Sequence, residues 1–157
     1  MDDLVIRDYR ESDIPQILQV IKTAFREQRG VVHPPSSAES KTLEILKNEL
    51  ERADALVVEA KGKIIASVCF RPLDGEIYVD RLAVLPEYRN RGIASDLMQE
   101  IESRVPGMGF SSIALAVRLE LESQQDYYKR RGYKITSYRS HKGFSDPTYV
   151  VMKKQVS

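Results

Sequence analysis

Leu82-Ala83-Val84-Leu85-Pro86-Glu87-Tyr88-Arg89-Asn90-Arg91-Gly92-Ile93-Ala94 is the stretch on which the reading of this chain turns. A strand-like run stops at Pro86, a short basic turn follows, and a helix opens at Gly92 before a pair of modest side chains. The first N–H groups of a helix have no partner within it and carry the positive end of its dipole. Gly92 and Ala94 lack bulk, so an anion can approach the backbone, and Arg89 and Arg91 add charge. Arg89, Asn90, Arg91, Gly92, Ile93, Ala94 and Ser95 therefore read as a pyrophosphate cradle. A tight strand–helix turn whose arginines face solvent fits the same residues, and both readings stand at this point.

Outward from this turn, the periodicity alternates between helical and extended. Leu4 to Arg7 form a short strand. Ser12 or Asp13 can cap a helix with Pro15 in its first turn and a stripe of Ile14, Ile17, Leu18, Ile21 and Phe25. Ser36 and Glu39 have the spacing of a capping box ahead of Leu43, Leu46 and Leu50. Ala55–Ala60 and Lys63–Phe70 are strands about a Lys61-Gly62 hairpin, and Asp74-Gly75 turns the chain into a strand from Glu76 to Leu85. Ile93, Ala94, Leu97, Met98 and Ile101 form a helical stripe ended by Pro106-Gly107. A strand at 113–117, a helix at 122–131 closed by Gly132, and strands at 133–138 and 148–152 complete the order β-α-α-β-β-β-α-β-α-β-β. The strand–helix–strand unit between 76 and 118 makes part of the sheet parallel.

The 157 residues suit a single domain, with 42% hydrophobic and 30% charged residues, ordinary for a globular protein. Acids scattered through the first 25 residues argue against a secretion signal, and no 18-residue apolar run is present. The lone Cys69 suits a reduced, cytoplasmic protein and reads as a small core residue. Net charge is +1, yet residues 1–80 hold 11 Lys and Arg against 15 acids, while residues 81–157 hold 13 against 8. That imbalance suits a small, highly anionic ligand; a sequence pI near 7.8 is too low for a dedicated nucleic-acid binder. His33 and His141 lack metal-ligand spacing, so no metal is expected.

Arg89-Asn90-Arg91-Gly92-Ile93-Ala94 resembles the Arg/Gln-x-x-Gly-x-Gly/Ala signature of the GNAT-type N-acetyltransferases, and the preceding strand is similar to theirs. Tyr128-Lys129-Arg130-Arg131-Gly132-Tyr133 resembles the family's Tyr-x-x-x-Gly-Phe/Tyr ending of the following helix. The two motifs fall in the right order on the expected elements. The resemblance implies an α/β (α+β) fold, with a mixed, mostly antiparallel central sheet flanked by helices and splayed between its fourth and fifth strands. It implies that the pantetheine arm of acetyl-coenzyme A lies in the splay against the backbone of Leu82, Ala83 and Val84. The pyrophosphate then sits on Arg89 through Ser95. Separately, the basic run between Tyr128 and Lys142 holds six Lys and Arg and no acid. It reads either as a solvated face or as contact of Lys129 or Arg130 with the 3′-phosphate.

The same resemblance makes Tyr128 the acid that protonates the departing thiolate, a role open to a phenol. Glu76 and Asp80, four apart on one strand face that also carries Tyr78, are the candidate side-chain bases, with a water chain as the alternative. His33 and His141 sit in loops expected to overhang the acceptor end. Ala116 stands where enzymes acetylating ribosomal-protein N-termini usually carry a glutamate, which makes a protein N-terminus a less suitable acceptor. Leu121 and Gln124 replace the family's usual Asn and Ala, which removes a side-chain contact to the pantetheine arm. The expected activity is direct acetyl transfer to a primary amine of a small molecule or peptide, without nucleic acid or membrane as partner, and with a homodimer as the family's common assembly. A non-catalytic coenzyme A sensor is the alternative reading.

Overall fold

The computed structural model describes residues 3–38 and 40–157. Seven strands form one sheet: β1 (Leu4–Asp8), β2 (Asp54–Ala60), β3 (Lys63–Leu73), β4 (Glu76–Val84), β5 (Ser112–Arg118), β6 (Lys134–Arg139) and β7 (Tyr149–Gln155). Their spatial order is β1-β2-β3-β4-β5-β7-β6, antiparallel throughout except for the parallel β4–β5 pair. The helices are α1 (Ile14–Phe25), α2 (Leu43–Leu50), α3 (Ile93–Arg104) and α4 (Glu122–Arg130). The expected fold class and the parallel β4–α3–β5 crossover are both present.

Local chemistry accounts for most of these elements. The hairpins turn at Lys61-Gly62 and Asp74-Gly75, where both residues of each pair have positive φ. That twist matches the flanking strands. β3 runs three residues past the expected Phe70 because Arg71, Pro72 and Leu73 find partners in Tyr78, Ile77 and Glu76 across the second hairpin. α1 buries Ile14, Ile17, Val20, Ile21 and Ala24 against β3 and β4. Asp13 does not cap the α1 amides as expected. Its carboxylate instead accepts from the Arg10 backbone N–H at 2.7 Å and from both Arg7 Nη atoms at 2.8 and 3.1 Å.

The second helix begins later than the Ser36 and Glu39 spacing predicts. Thr42 Oγ1 caps it, accepting from the Ile45 N–H at 3.2 Å, and Leu46 and Leu50 are buried while Leu43 is exposed. Ser36 Oγ accepts from the Ala38 N–H within a turn, and Glu39 lies outside the described residues. Cys69 is a buried core residue, and burial pushes its thiol up to about 12.

β4 and β5 pair only at Ile77–Ile113 and Tyr78–Ala114, then separate. Glu76 stands at the closed end of this wedge. Its carboxylate accepts from Ser112 Oγ on β5 at 2.8 Å and from Lys153 Nζ on β7 at 2.6 Å, clasping three strands together. Burial pushes the Glu76 carboxyl up, but the Lys153 and Ser112 hydrogen bonds outweigh it and hold the group below its ordinary value. Stabilisation from such a group is complete above the unfolded pKa and lost as pH falls through the folded one. Glu76→Gln should therefore lower unfolding free energy by about 1–3 kcal/mol at neutral pH, as expected for a hydrogen bond to a charged group. Urea denaturation should show the gap to wild type narrowing as pH falls below the ordinary carboxylate range and the Glu76 carboxyl becomes protonated.

Candidate active site

The wedge between β4 and β5 is widened by a bulge. Cys69 faces Asp80 and Ser67 faces Ala83, so Val68 alone opposes both Arg81 and Leu82. Arg81 takes φ +56°, a conformation unfavourable by about 1–2 kcal/mol for a residue with a Cβ. A bulge bends its strand and leaves one residue out of the ladder. Here it turns Arg81 and Leu82 toward the space that β5 has vacated.

Three adjoining cavities run along this space. The first, about 510 Å³, is walled by Tyr78, Asp80, Arg81, Leu115, Arg118 and His141. The second, about 480 Å³, is walled by Leu82, Ala83, Val84, Arg89, Ala94 and Tyr127. Phe25, Gln28, Leu82, Leu121, Gln124 and Tyr128 line both. The third, about 430 Å³, continues over Tyr88, Asn90, Gly92, Ile93 and Ser95 and shares Val84, Arg89, Ala94, Gln124 and Tyr127 with the second.

Tyr128 stands where the first two cavities meet. It is 8% exposed, packed edge-on against Tyr127 and Tyr133 with ring centroids 5.1 and 5.5 Å away. Burial raises its phenol pKa, with Tyr127 adding to the shift, so Oη holds its proton at neutral pH. The end of α4 is pinned by Glu102 of α3, which accepts from Arg131 Nη2 at 2.7 Å and Tyr133 Oη at 2.9 Å. Tyr127 Oη and Ser95 Oγ, 2.8 Å apart, tie α4 to the first turn of α3.

The two candidate bases are separated by the fold. Asp80 lines the first cavity; Glu76 lies outside the described lining, engaged in the clasp. They share a strand face, as expected, but the strand carries one to the open end of the wedge and the other to its vertex. Burial pushes the Asp80 carboxyl above its ordinary value, opposed by the nearby Arg71 and Arg81 guanidiniums. Arg71 Nη1 donates to Asp80 Oδ2 at 3.3 Å.

At the turn, Gly92 is the N-cap of α3 with φ +78°, and no side chain caps the helix. Asn90 is also left-handed, at φ +62°. An ideal Cβ on Gly92 would meet nothing within 4 Å, so the space over the first α3 amides is open. These uncapped amides, joined to the apolar second cavity, fit a coenzyme with an anionic end and a slender arm. The arginines are less free than their sequence positions suggest. Arg89 pairs with Glu27, in the turn that follows α1, and lines the cavities, whereas Arg91 lies over the Tyr88 ring at 5.0 Å and donates to the Glu87 carbonyl. Lys129 is exposed on α4 and outside the described cavity lining.

Phe25, Gln28, Arg81 and Arg118 line the cavities without having been singled out from the sequence. Phe25 belongs to the α1 stripe, which makes it look like core, and nothing in the sequence marks the other three. Of the two histidines, His141 lines the first cavity and its Nδ1 lies 2.5 Å from Thr148 Oγ1. His33 donates its backbone N–H to Glu120 instead. Among the described residues, no cluster of three or more potential metal ligands is present, and no helix is long and apolar enough to cross a membrane.

Comparison with known proteins places this geometry in a family. The acetyltransferase (GNAT) family pattern matches residues 15–133. The chain is 26% identical over 147 residues to an S-alkylcysteine N-acetyltransferase of Bacillus subtilis, covering 86% of this chain and 81% of that protein. It is 34% identical over 113 residues to an amino-acid acetyltransferase of Pseudomonas putida, covering 69% of this chain but only 23% of that longer protein. In structure it superimposes on the PaiA N-acetyltransferase of Thermoplasma acidophilum, solved in complex with coenzyme A, with a TM-score of 0.83 at 20% identity over 98% of this chain and 99% of the other. A match over most of its length, carried on the split sheet and the Gly92 turn, shows that the chain belongs to the GNAT acetyltransferase family.

Proposed function

We propose that this domain, spanning residues 1–157, transfers an acetyl group from acetyl-coenzyme A directly to the primary amine of a small molecule. The observation that carries this reading is the row of three adjoining cavities with Tyr128 at one junction and Asp80 in the outermost chamber. Acetyl-coenzyme A supplies the activated acetyl thioester. The uncapped amides from Gly92 to Ser95 would hold its pyrophosphate, and the β4 edge from Leu82 to Val84 would hold its arm, with backbone N–H groups available to a carbonyl oxygen as it gains charge. The relatives named for S-alkylcysteine and amino acids act on small amines, which supports a small acceptor. Ala116 on the wall of the first cavity is consistent with that choice. A cytoplasmic location and a homodimer belong to the same reading.

The chain's own residues divide the proton work. Asp80 takes a proton from the incoming ammonium; its burial beside two guanidiniums keeps it close to the acceptor without freezing it in a tight pair. As the neutral nitrogen bonds to the acetyl carbon and the C–S bond breaks, Tyr128 releases its Oη proton to the departing sulfur. The second proton lost by the nitrogen passes through the cleft to restore the phenol. Gathering acceptor and thioester in one cleft removes the entropic cost of a bimolecular encounter.

Three outcomes follow. Tyr128→Phe removes a hydroxyl from a packed ring, so coenzyme affinity should hold while kcat falls roughly 10²- to 10⁴-fold, the usual worth of general acid catalysis. Unchanged kcat with chemistry rate-limiting would assign Tyr128 to packing alone. In wild type, kcat/KM should fall on the acid side as the elevated Asp80 carboxyl protonates, and Asp80→Asn should abolish that limb. The activity lost in the variant should be recovered in part as pH nears the amine's own pKa. Asn and Asp both tolerate a left-handed backbone, so Gly92→Asn and Gly92→Asp differ only in charge. By calorimetry, coenzyme A should bind the Asp variant about tenfold or more weakly than the Asn variant, since like charges a few ångströms apart repel by roughly 1–4 kcal/mol.

A further inference from the structure

The first cavity is electrostatically lopsided. Its described lining contains Arg81, Arg118 and Lys142 against the single acid Asp80. Arg81 and Arg118 reach it from different strands, one from the β4 bulge and the other from the end of β5. Both are half-buried, and both are held by neutral oxygens of one loop. Arg81 Nη2 donates to Ser37 Oγ at 2.8 Å, and Arg118 Nη1 donates to the Pro34 carbonyl at 2.5 Å. Neither makes a side-chain ion pair among the described residues, and Arg81 Nε is buried with no hydrogen-bond partner.

A guanidinium offers five donors, and each of these spends its described hydrogen bonds on one neutral acceptor. Two such groups beside a half-closed cavity, neither in an ion pair among the described residues and with one carboxylate against them and Lys142, leave an excess of positive charge that an anion would offset. Burial holds the Arg118 pKa below its ordinary value, and the nearby Arg81 cation lowers it further, against the exposed Glu120. The two cations therefore sense each other across the same space. Asp80, adjacent to Arg81 in the chain, sets an acid next to this basic pair.

We infer that the acceptor is a free amino carboxylate, an α-amino acid or close analogue, whose carboxylate is received by Arg81 and Arg118 while its ammonium lies toward Asp80. This rests on the acetyl-transfer reading and specifies its acceptor. A zwitterion matches the layout, because it brings one anion to the two guanidiniums and one cation to the single carboxylate. A polyamine brings several cations to a chamber with three basic groups and one acid. The free carboxylate is absent from an amide or from an internal residue of a peptide. Both guanidiniums are oriented by residues 34–37 before any ligand arrives, so less ordering accompanies binding.

The test compares the α-amino acids with their α-carboxamides and with spermidine, following thiol release from acetyl-coenzyme A. For the best amino acid, kcat/KM should exceed that of its carboxamide by about 100-fold or more, and spermidine should be poor. Arg118→Gln and Arg81→Gln should each raise KM for the amino acid about 10- to 100-fold, the worth of a hydrogen bond between charged groups. Arg118→Gln should leave kcat within a few-fold and scarcely change the constants for the carboxamide, whereas Arg81→Gln also removes a cation beside Asp80, so for that variant the amino acid must lose more than the carboxamide. Arg118→Lys should recover part of the loss, since it restores charge without the planar fork. Equal turnover of acids and carboxamides, preference for spermidine, or variants that depress both substrates alike would overturn the inference while leaving acetyl transfer intact. Calorimetry on the coenzyme A-loaded protein separates the remaining cases. Amino acid binding that is lost on amidation, without turnover of any amine, supports the carboxylate site and overturns the acetyl-transfer reading. Absence of both turnover and discriminating binding overturns both.

Discussion

The Glu76 carboxylate, bonded to Ser112 on β5 and Lys153 on β7, holds together the point from which the two halves of the sheet diverge. Parallel pairing between β4 and β5 lasts for only two residue pairs. Past Tyr78 the two strands no longer pair, and the Glu76 clasp braces the vertex from the other side of that short ladder. A sheet that stayed zipped would satisfy more backbone groups and leave no room for substrate. The cleft therefore depends on a junction strong enough to survive being short, and on a bulge at Arg81 that turns β4 away from its neighbour. The three cavities occur because the pairing stops there.

A second constraint sets the far wall. α4 is the least apolar of the helices and reaches the core chiefly through Tyr128, so it needs polar anchoring. Glu102 supplies this at its end through Arg131 and Tyr133, and the Ser95–Tyr127 contact supplies it alongside the Gly92 turn. Tyr128 is held between two rings and lines both of the cavities that meet there. The Ser95–Tyr127 contact also ties the first turn of α3 directly to the residue next to Tyr128.

Much of this was legible in the residue order. The turn pairs Lys61-Gly62 and Asp74-Gly75, the α1 stripe and Gly92 each act within a few residues of themselves, so their reading needs no partner from elsewhere. The Tyr128 and Gly92 motifs likewise announce local geometry. The start of α2 was misplaced because Ser36 and Thr42 offer equivalent capping hydroxyls. What selects Thr42 is the burial of Leu46 and Leu50, a tertiary fact. Asp13 has cap chemistry too, but Arg7, brought alongside by β1, and the Arg10 N–H engage its carboxylate instead of the α1 amides.

The roles of Glu76 and Asp80 show the boundary most clearly. By spacing they are equivalent, two carboxylates on one strand face. Only the point at which β5 parts from β4 makes one of them a clasp and leaves the other in the cavity. Arg81 and Arg118 are the same kind of case: nothing nearby in sequence marks either arginine, and they meet because a bulge and a strand end from different parts of the chain face one chamber. Sequence by itself determined the elements, their order and the glycine turn that opens α3, because those follow from dihedral preference, periodicity and backbone amides close in the chain. Tertiary structure alone decided which charges meet across the cleft, because charge–charge energies depend on separation and burial in space, and neither is a property of spacing along the chain.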